Sequence, residues 1–233
     1  MVYDWLLDVL RQEYDLMHVI KDTPRSSIRL LRHRKTGKKF ILRQFHGCPD
    51  VYDQLLKISC ANLPVVYEVA AKDGETLVLE EYIEGDTLGR LLQGALFSVG
   101  ETQDIVTQVC QALWVLHSMG AVHRDIKPEN IILRGRDAIL IDFDAARIHK
   151  PALENDTQIL GTVGFAAPEQ YVISQSDLRA DIYSLGVLIN VMLTGEHPSR
   201  ALVPGRMGRI VERCTRVNPA KQYKNVLRLM EAF

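Results

Sequence analysis

Residues 181–193 read DIYSLGVLINVML, and no rotation of a helix gives this stretch a polar face. A helix with apolar residues on nearly every side has to be buried nearly all round. Such a helix needs a substantial body of other elements around it. At 233 residues the chain is long enough for one large domain, or for two lobes sharing a core.

The sequence before that helix changes character once. Trp5, Leu6, Val9 and Leu10 recur at helical spacing and predict a short amphipathic helix that docks on the strands after it. From Leu16 to Phe45 the pattern is that of strands. IRLLRHR and KKFILRQF flank Lys35-Thr36-Gly37, a hairpin signal. A brief helix is expected over 50–59. VVYEVAAKDGETLVLEEYI then predicts two strands around Lys72-Asp73-Gly74, where Asp-Gly favours a tight reversal.

After Gly85 the pattern is helical. Ser98 with Glu101 forms a capping-box signature. Ile105, Val109, Ala112, Leu113 and Leu116 make a stripe that ends near Gly120. The expected class is α+β: a strand-rich part over 1–82, a connection over 83–87 and a helical part over 88–233.

Charge and cysteine usage narrow the setting. With 28 basic and 29 acidic residues, the net balance gives no sign of a nucleic-acid or anionic-membrane surface. The basic run over 29–39 reads as a solvated hairpin face. Cys48, Cys60, Cys110 and Cys214 lack metal-ligand spacing, so reduced thiols and a cytoplasmic setting are expected. The N-terminus mixes acids with apolar residues and has no basic leader, unlike a secretory signal. No apolar run reaches the roughly 18 residues that a membrane span requires, so no membrane contact is expected within the chain.

Two loops present carboxylates beside apolar runs. HRDIKPEN, residues 123–130, offers Asp125 and Asn130, and IDFD offers Asp142 and Asp144. Oxygen donors without clustered cysteine or histidine suit a hard cation such as Mg²⁺, which keeps waters and substrate phosphates as its other ligands. Lys127 stands where it could meet a phosphoryl group. Taken singly, each of these acids reads better as the cap of a turn.

HRDIKPEN resembles the catalytic loop of eukaryotic-type protein kinases, and Asp142-Phe143-Asp144 resembles their metal-binding tripeptide. Ala167-Pro168-Glu169 is similar to the close of the activation segment, and the helix from Asp181 to the one that anchors the catalytic loop. The signatures fall in the family's order and cover the chain from about residue 16 onward, most strongly in its C-terminal part. The resemblance implies a bilobal protein-kinase-like fold of the bacterial, eukaryotic-like kind. It also implies transfer of phosphate from ATP, with Mg²⁺ or Mn²⁺, to Ser and Thr hydroxyls of protein substrates, autophosphorylation included.

Residue roles come from the same likeness. Asp125 would orient the substrate hydroxyl and accept its proton, Lys127 would steady the γ-phosphate, and Asn130 and Asp142 would hold the metal. Ile20, Ile28, Ile41, Thr87 and Ile132 would line the nucleotide, and the backbone of Glu81 and Ile83 would meet adenine. Arg124 could pair with a phosphate on Thr157 or Thr162.

The N-terminal part departs from that pattern. Lys21, Thr23 and Ser26, with Pro24 between, stand where the family has phosphate-covering glycines. Arg43 replaces the phosphate-binding lysine, for which Asp50 or Asp53 would be the helix-borne partner. Glu80 falls at the back of the adenine pocket. A buried carboxylate there requires a partner, and Arg43 one strand away predicts an Arg43–Glu80 contact. Asp144 replaces a glycine, which reduces backbone freedom. Gln222 replaces the arginine that would pair with Glu169. Two other readings stay open: a scaffold that kept the fold without turnover, and a small-molecule kinase of the aminoglycoside or choline type. The segments APE and DIYSLG speak against the second.

Overall fold

The computed structural model describes residues 2–148, 162, 164–167 and 178–233. The chain divides into two compact units, Met1–Cys60 with Pro64–Glu84, and Ala61–Leu63 with Gly85–Phe233.

The first unit is built on a five-stranded antiparallel sheet: β1 (Tyr14–Thr23), β2 (Ser26–His33), β3 (Lys39–His46), β4 (Val66–Lys72) and β5 (Glu75–Glu81), in the order β1-β2-β3-β5-β4. Both expected turns form. Gly37 (φ 70°) closes one, and Asp73 (φ 52°) with Gly74 (φ 81°) closes the other, using the left-handed conformations that an Asp-Gly hairpin requires. Helix α1 (Val2–Glu13) packs Tyr3, Leu6 and Leu10 against Leu31, Phe40, Leu42, Ala70, Leu77 and Leu79, all on one sheet face. The Tyr3 hydroxyl bonds Glu75, and Lys72 Nζ reaches Asp4 at 2.8 Å, which fixes the helix at its start. Helix α2 runs only from Asp50 to Leu55, shorter than the expected 50–59. Val51, Tyr52 and Leu55 supply its buried face, and residues 56–59 supply no further buried side chain to extend it.

The second unit is mainly helical. It contains α3 (Leu88–Leu91), α4 (Val99–Ser118), α5 (Arg179–Thr194), α6 (Gly205–Cys214) and α7 (Val226–Met230). Both halves of the Ser98–Glu101 capping box are made at the start of α4. Helix α5 contains the apolar run 181–193, and eleven of its sixteen residues are buried. Gly186 lets α6 approach it, since a Cβ there would lie 2.4 Å from Cβ of Cys214. Three strands, β6 (Asp86–Thr87), β8 (Ile131–Arg134) and β9 (Asp137–Leu140), form one small sheet. β7 (Ala121–Val122) pairs with β10 (Arg147–Ile148). Residues 61–63 belong here because Asn62 donates to the Ala138 carbonyl (3.0 Å) and accepts from Leu140 N. Among the described residues, no helix is long and apolar enough to cross a membrane.

Candidate active site

In the second unit the loop after β7 is pinned by one carboxylate. Asp181, in the first turn of α5 and fully buried, accepts from His123 N (3.0 Å), Arg124 N (2.8 Å) and the His117 ring (2.9 Å). Burial pushes its pKa up, but the His117 hydrogen bond and nearby imidazoles outweigh this and hold it below the usual carboxylate range. Arg124 itself sits at φ 71°, a conformation that costs a non-glycine residue energy and persists here because its N–H is held.

That turn delivers Asp125. Its Oδ2 accepts from Lys127 Nζ (2.6 Å) and Asn130 Nδ2 (3.0 Å), and its Oδ1 accepts from the Thr162 hydroxyl (2.6 Å). Lys127 Nζ also bonds Thr162 Oγ1 at 2.7 Å. An ionised carboxylate offers about four acceptor positions, so three donors leave room for one more. Burial raises the Asp125 pKa, yet the donors from Lys127, Thr162 and Asn130 prevail and keep it below an ordinary aspartate. The Asn130 amide gives its nitrogen twice to Asp125, which turns its oxygen the opposite way.

The family resemblance casts Thr162 as a phosphate acceptor facing Arg124. Instead, its hydroxyl is bonded to Asp125 and Lys127, where a phosphate would bring a second anion against the aspartate. The threonine is held by its own turn: Phe165 N and Ala166 N donate to its carbonyl, and Ser184 of α5 bonds the Phe165 carbonyl. The signal in the sequence is a threonine five residues before Ala167, but only folding shows which partners it meets. Thr157 and Glu169 lie outside the described residues.

Asp142 follows β9 at φ 69°, and Phe143 beside it is buried in edge contact with the His123 ring (centroids 5.3 Å). The positive φ falls on Asp142 and not on Asp144, so the missing glycine leaves no strained residue behind. Burial lowers the His123 pKa despite three nearby carboxylates. Thr87 and Ile132 are cross-strand neighbours in the small sheet, and Thr87 also caps α3 by accepting from Arg90 N. Gln222 is buried and gives its amide to the Arg216 carbonyl (2.8 Å).

In the first unit Ile28, Ile41, Arg43 and Glu80 share the sheet face opposite α1, whereas Glu81 pairs with Phe40 and Ile83 lies beyond the last strand. Cross-strand pairing sets Ile28 beside Arg43 and Ile41 beside Glu80. The predicted ion pair forms: Arg43 Nε donates to Glu80 Oε1 at 2.5 Å, with side chains 4 % and 3 % exposed. Asp50 opens α2, Ile83 is buried, and the Glu81 carboxylate accepts from Val65 N (3.2 Å). Ile20 lies on edge strand β1 with half its surface exposed, beside the irregular pairing between Val19 and Lys21. The glycine-free loop is a two-residue turn, Pro24-Arg25, between Thr23 and Ser26, whose side chain and backbone bond each other. None of these residues has a positive φ, so the turn has no need of glycine.

Residues 51–225 match the family model described as a protein kinase domain. The serine/threonine-protein kinase PknA of Nostoc sp. is 31% identical over 192 residues, 73% of this chain and 34% of that protein. The serine/threonine-protein kinase pkn2 of Myxococcus xanthus is 36% identical over 187 residues, 73% and 22% of the two. A probable serine/threonine-protein kinase of Clostridium acetobutylicum is 28% identical over 231 residues, 88% and 35%. The chain thus spans about a third or less of the length of these relatives. The family match begins beyond β1–β3, the strands that carry the glycine-free turn and Arg43.

Proposed function

The chain belongs to the protein kinase domain family, and from that premise we propose that it transfers the γ-phosphoryl group of ATP to Ser and Thr hydroxyls of protein substrates. The observation that carries the reading is the Lys127–Asp125–Thr162 cluster with Asn130 against it. An ionised, donor-rich Asp125 is a weak base, which suits a loose transition state in which proton removal does not lead. Its open acceptor position would take the substrate hydroxyl, and its hold on Lys127 keeps that cation near the incoming phosphoryl. These groups act by position and charge balance.

Asn130 and Asp142 fit a divalent cation, since both offer hard oxygens and the Asn130 oxygen is turned from Asp125. Mg²⁺ bound there would neutralise phosphate charge. On the first unit's sheet, Ile28 and Ile41 supply apolar surface for a purine. Arg43, tied to Glu80, is a positioning residue for that face. The same tie favours a second reading, a scaffold without turnover, because the cation at the phosphate-binding position already has a carboxylate.

Transfer from γ-labelled ATP with Mg²⁺ to the chain itself and to a basic protein decides between them. The parent labels and Asp125→Asn loses label by about 10²–10⁴-fold. Equal labelling by both proteins defeats the catalytic reading. No labelling by folded parent favours the scaffold.

A further inference from the structure

The near-neutral charge of the chain conceals a strongly basic end. Between residues 206 and 228 stand Arg206, Arg209, Arg213, Arg216, Lys221, Lys224 and Arg228 against the single acid Glu212. Removing these from the 28 basic and 29 acidic residues of the chain leaves 21 and 28, so the remainder is acidic. All seven cations are exposed, while α6 turns Met207, Ile210, Val211 and Cys214 inward.

Three of the seven converge. An open cavity of about 390 Å³ is lined by Arg213, Tyr223, Lys224, Arg228, Glu231 and Ala232. The Arg213 guanidinium lies over the Tyr223 ring, 4.3 Å from its centroid. Stacking and a hydrogen bond to Tyr223 fix the plane of that fork, and its remaining N–H groups suit an oxyanion. Arg228 bonds Glu231 at 2.5 Å, so the cavity holds three cations and one anion. No ion pair involves Arg213 or Lys224 among the described residues. Two unmatched positive charges facing one concavity suit a doubly charged phosphate monoester.

We infer that this cavity is a docking site for a phosphorylated Ser or Thr side chain on a polypeptide, apart from the catalytic loop. A phosphopeptide is favoured over nucleic acid by Tyr223. Single-stranded nucleic acid is gripped by bases stacking on open aromatic rings, whereas this ring is 6 % exposed and covered by Arg213. The inference extends the kinase reading, because such a site would gather substrates already phosphorylated once. It does not depend on turnover.

The test uses the full chain carrying Asp125→Asn, so that binding is read without transfer. The probe is a fluorescent capped peptide of one phosphothreonine flanked by three alanines on each side. Its threonine and glutamate counterparts, a single-stranded RNA and phosphatidylserine vesicles serve as comparisons. The phosphopeptide is expected to bind at least about tenfold tighter than the threonine peptide, with Arg213→Gln and Lys224→Gln each removing most of that preference. Arg209→Gln, on the same helix but outside the cavity lining, changes it by less than about twofold if the site is local. Equal binding of both peptides, preference for RNA or vesicles, or equal loss with Arg209→Gln overturns the site. Lys224 is exposed, so its variant answers even if Arg213→Gln unfolds. Labelling by Arg213→Gln in the Asp125 parent is measured separately, which keeps failure of docking distinct from failure of catalysis.

Discussion

The two units of this molecule have treated the same family pattern differently. In the C-terminal unit every group of the proposed chemical step is present and locked: Asp181 holds the loop, and Lys127, Asn130 and Thr162 hold Asp125. In the N-terminal unit the glycines, the lysine and its usual partner are replaced, yet the sheet closes with full register from β2 to β5. The difference lies in what each position must supply. A carboxylate that orients a hydroxyl has no substitute of the same charge and reach. A phosphate cover made of backbone can be rebuilt from another turn, and a buried ion pair can move as a pair. Arg43 with Glu80 is such a pair, two changes that make sense only together.

That contrast can be broken most forcefully at the pair itself. Glu80→Leu, which takes the carboxylate from buried Arg43, should destabilise the chain by about 3–5 kcal/mol, read by urea denaturation. Arg43→Met with Glu80→Leu should recover most of this, because burying two charges offsets much of what their attraction returns. If the double variant is as unstable as the single, the two substitutions are not coupled.

In the C-terminal unit Thr162→Ala removes one donor from an ionised acceptor and should lower phosphate transfer by about 10–100-fold, with Thr162→Ser restoring most of it. Loss in both variants alike would show that the hydroxyl bonded to Asp125 is not what supports transfer.

A smaller effect is expected from pH. His123 is neutral when folded because burial lowers its pKa, while the unfolded chain takes up the proton near about pH 6.5. The unfolded state therefore binds more protons below that pH, and stability should fall as pH drops from about 7.5 to 5.5. Asp125 and Asp181, whose pKa values are depressed, stay ionised across this window, and their contributions are lost only at lower pH. His123→Gln should flatten the slope in denaturation curves, and an unchanged slope would assign it elsewhere.

The smallest effect concerns the turn. Restoring glycine with Ser26→Gly should cost less than about 1 kcal/mol and leave the ATP Kd within about twofold, since no positive φ awaits it. Tighter ATP binding in that variant would show that the N-terminal unit lost function with its glycines.

Much of this is legible in residue order. Local signals bind neighbours in sequence: the Ser98 capping box, the Asp73-Gly74 reversal and the α5 apolar run each rest on contacts within a few positions. The Arg43–Glu80 pair is also legible, because a buried carboxylate must find a cation and strand order offers one. Hidden are features made by distant segments or by averaging. The basic end vanishes into a net charge of -1. The expected length of α2 is too great because helix propensity continues where burial stops.

Sequence by itself determined the alphabet of the site, since the types and spacing of Asp125, Lys127, Asn130 and Asp142 allow few chemistries. It also determined the class of the fold through its periodicities. Only tertiary structure decided that Thr162 would serve Asp125, 37 positions away, and that Arg213 would lie on Tyr223. Which partner a side chain meets depends on loop closure and packing across the whole unit, and these are settled by the sum of many weak contacts that no local pattern records.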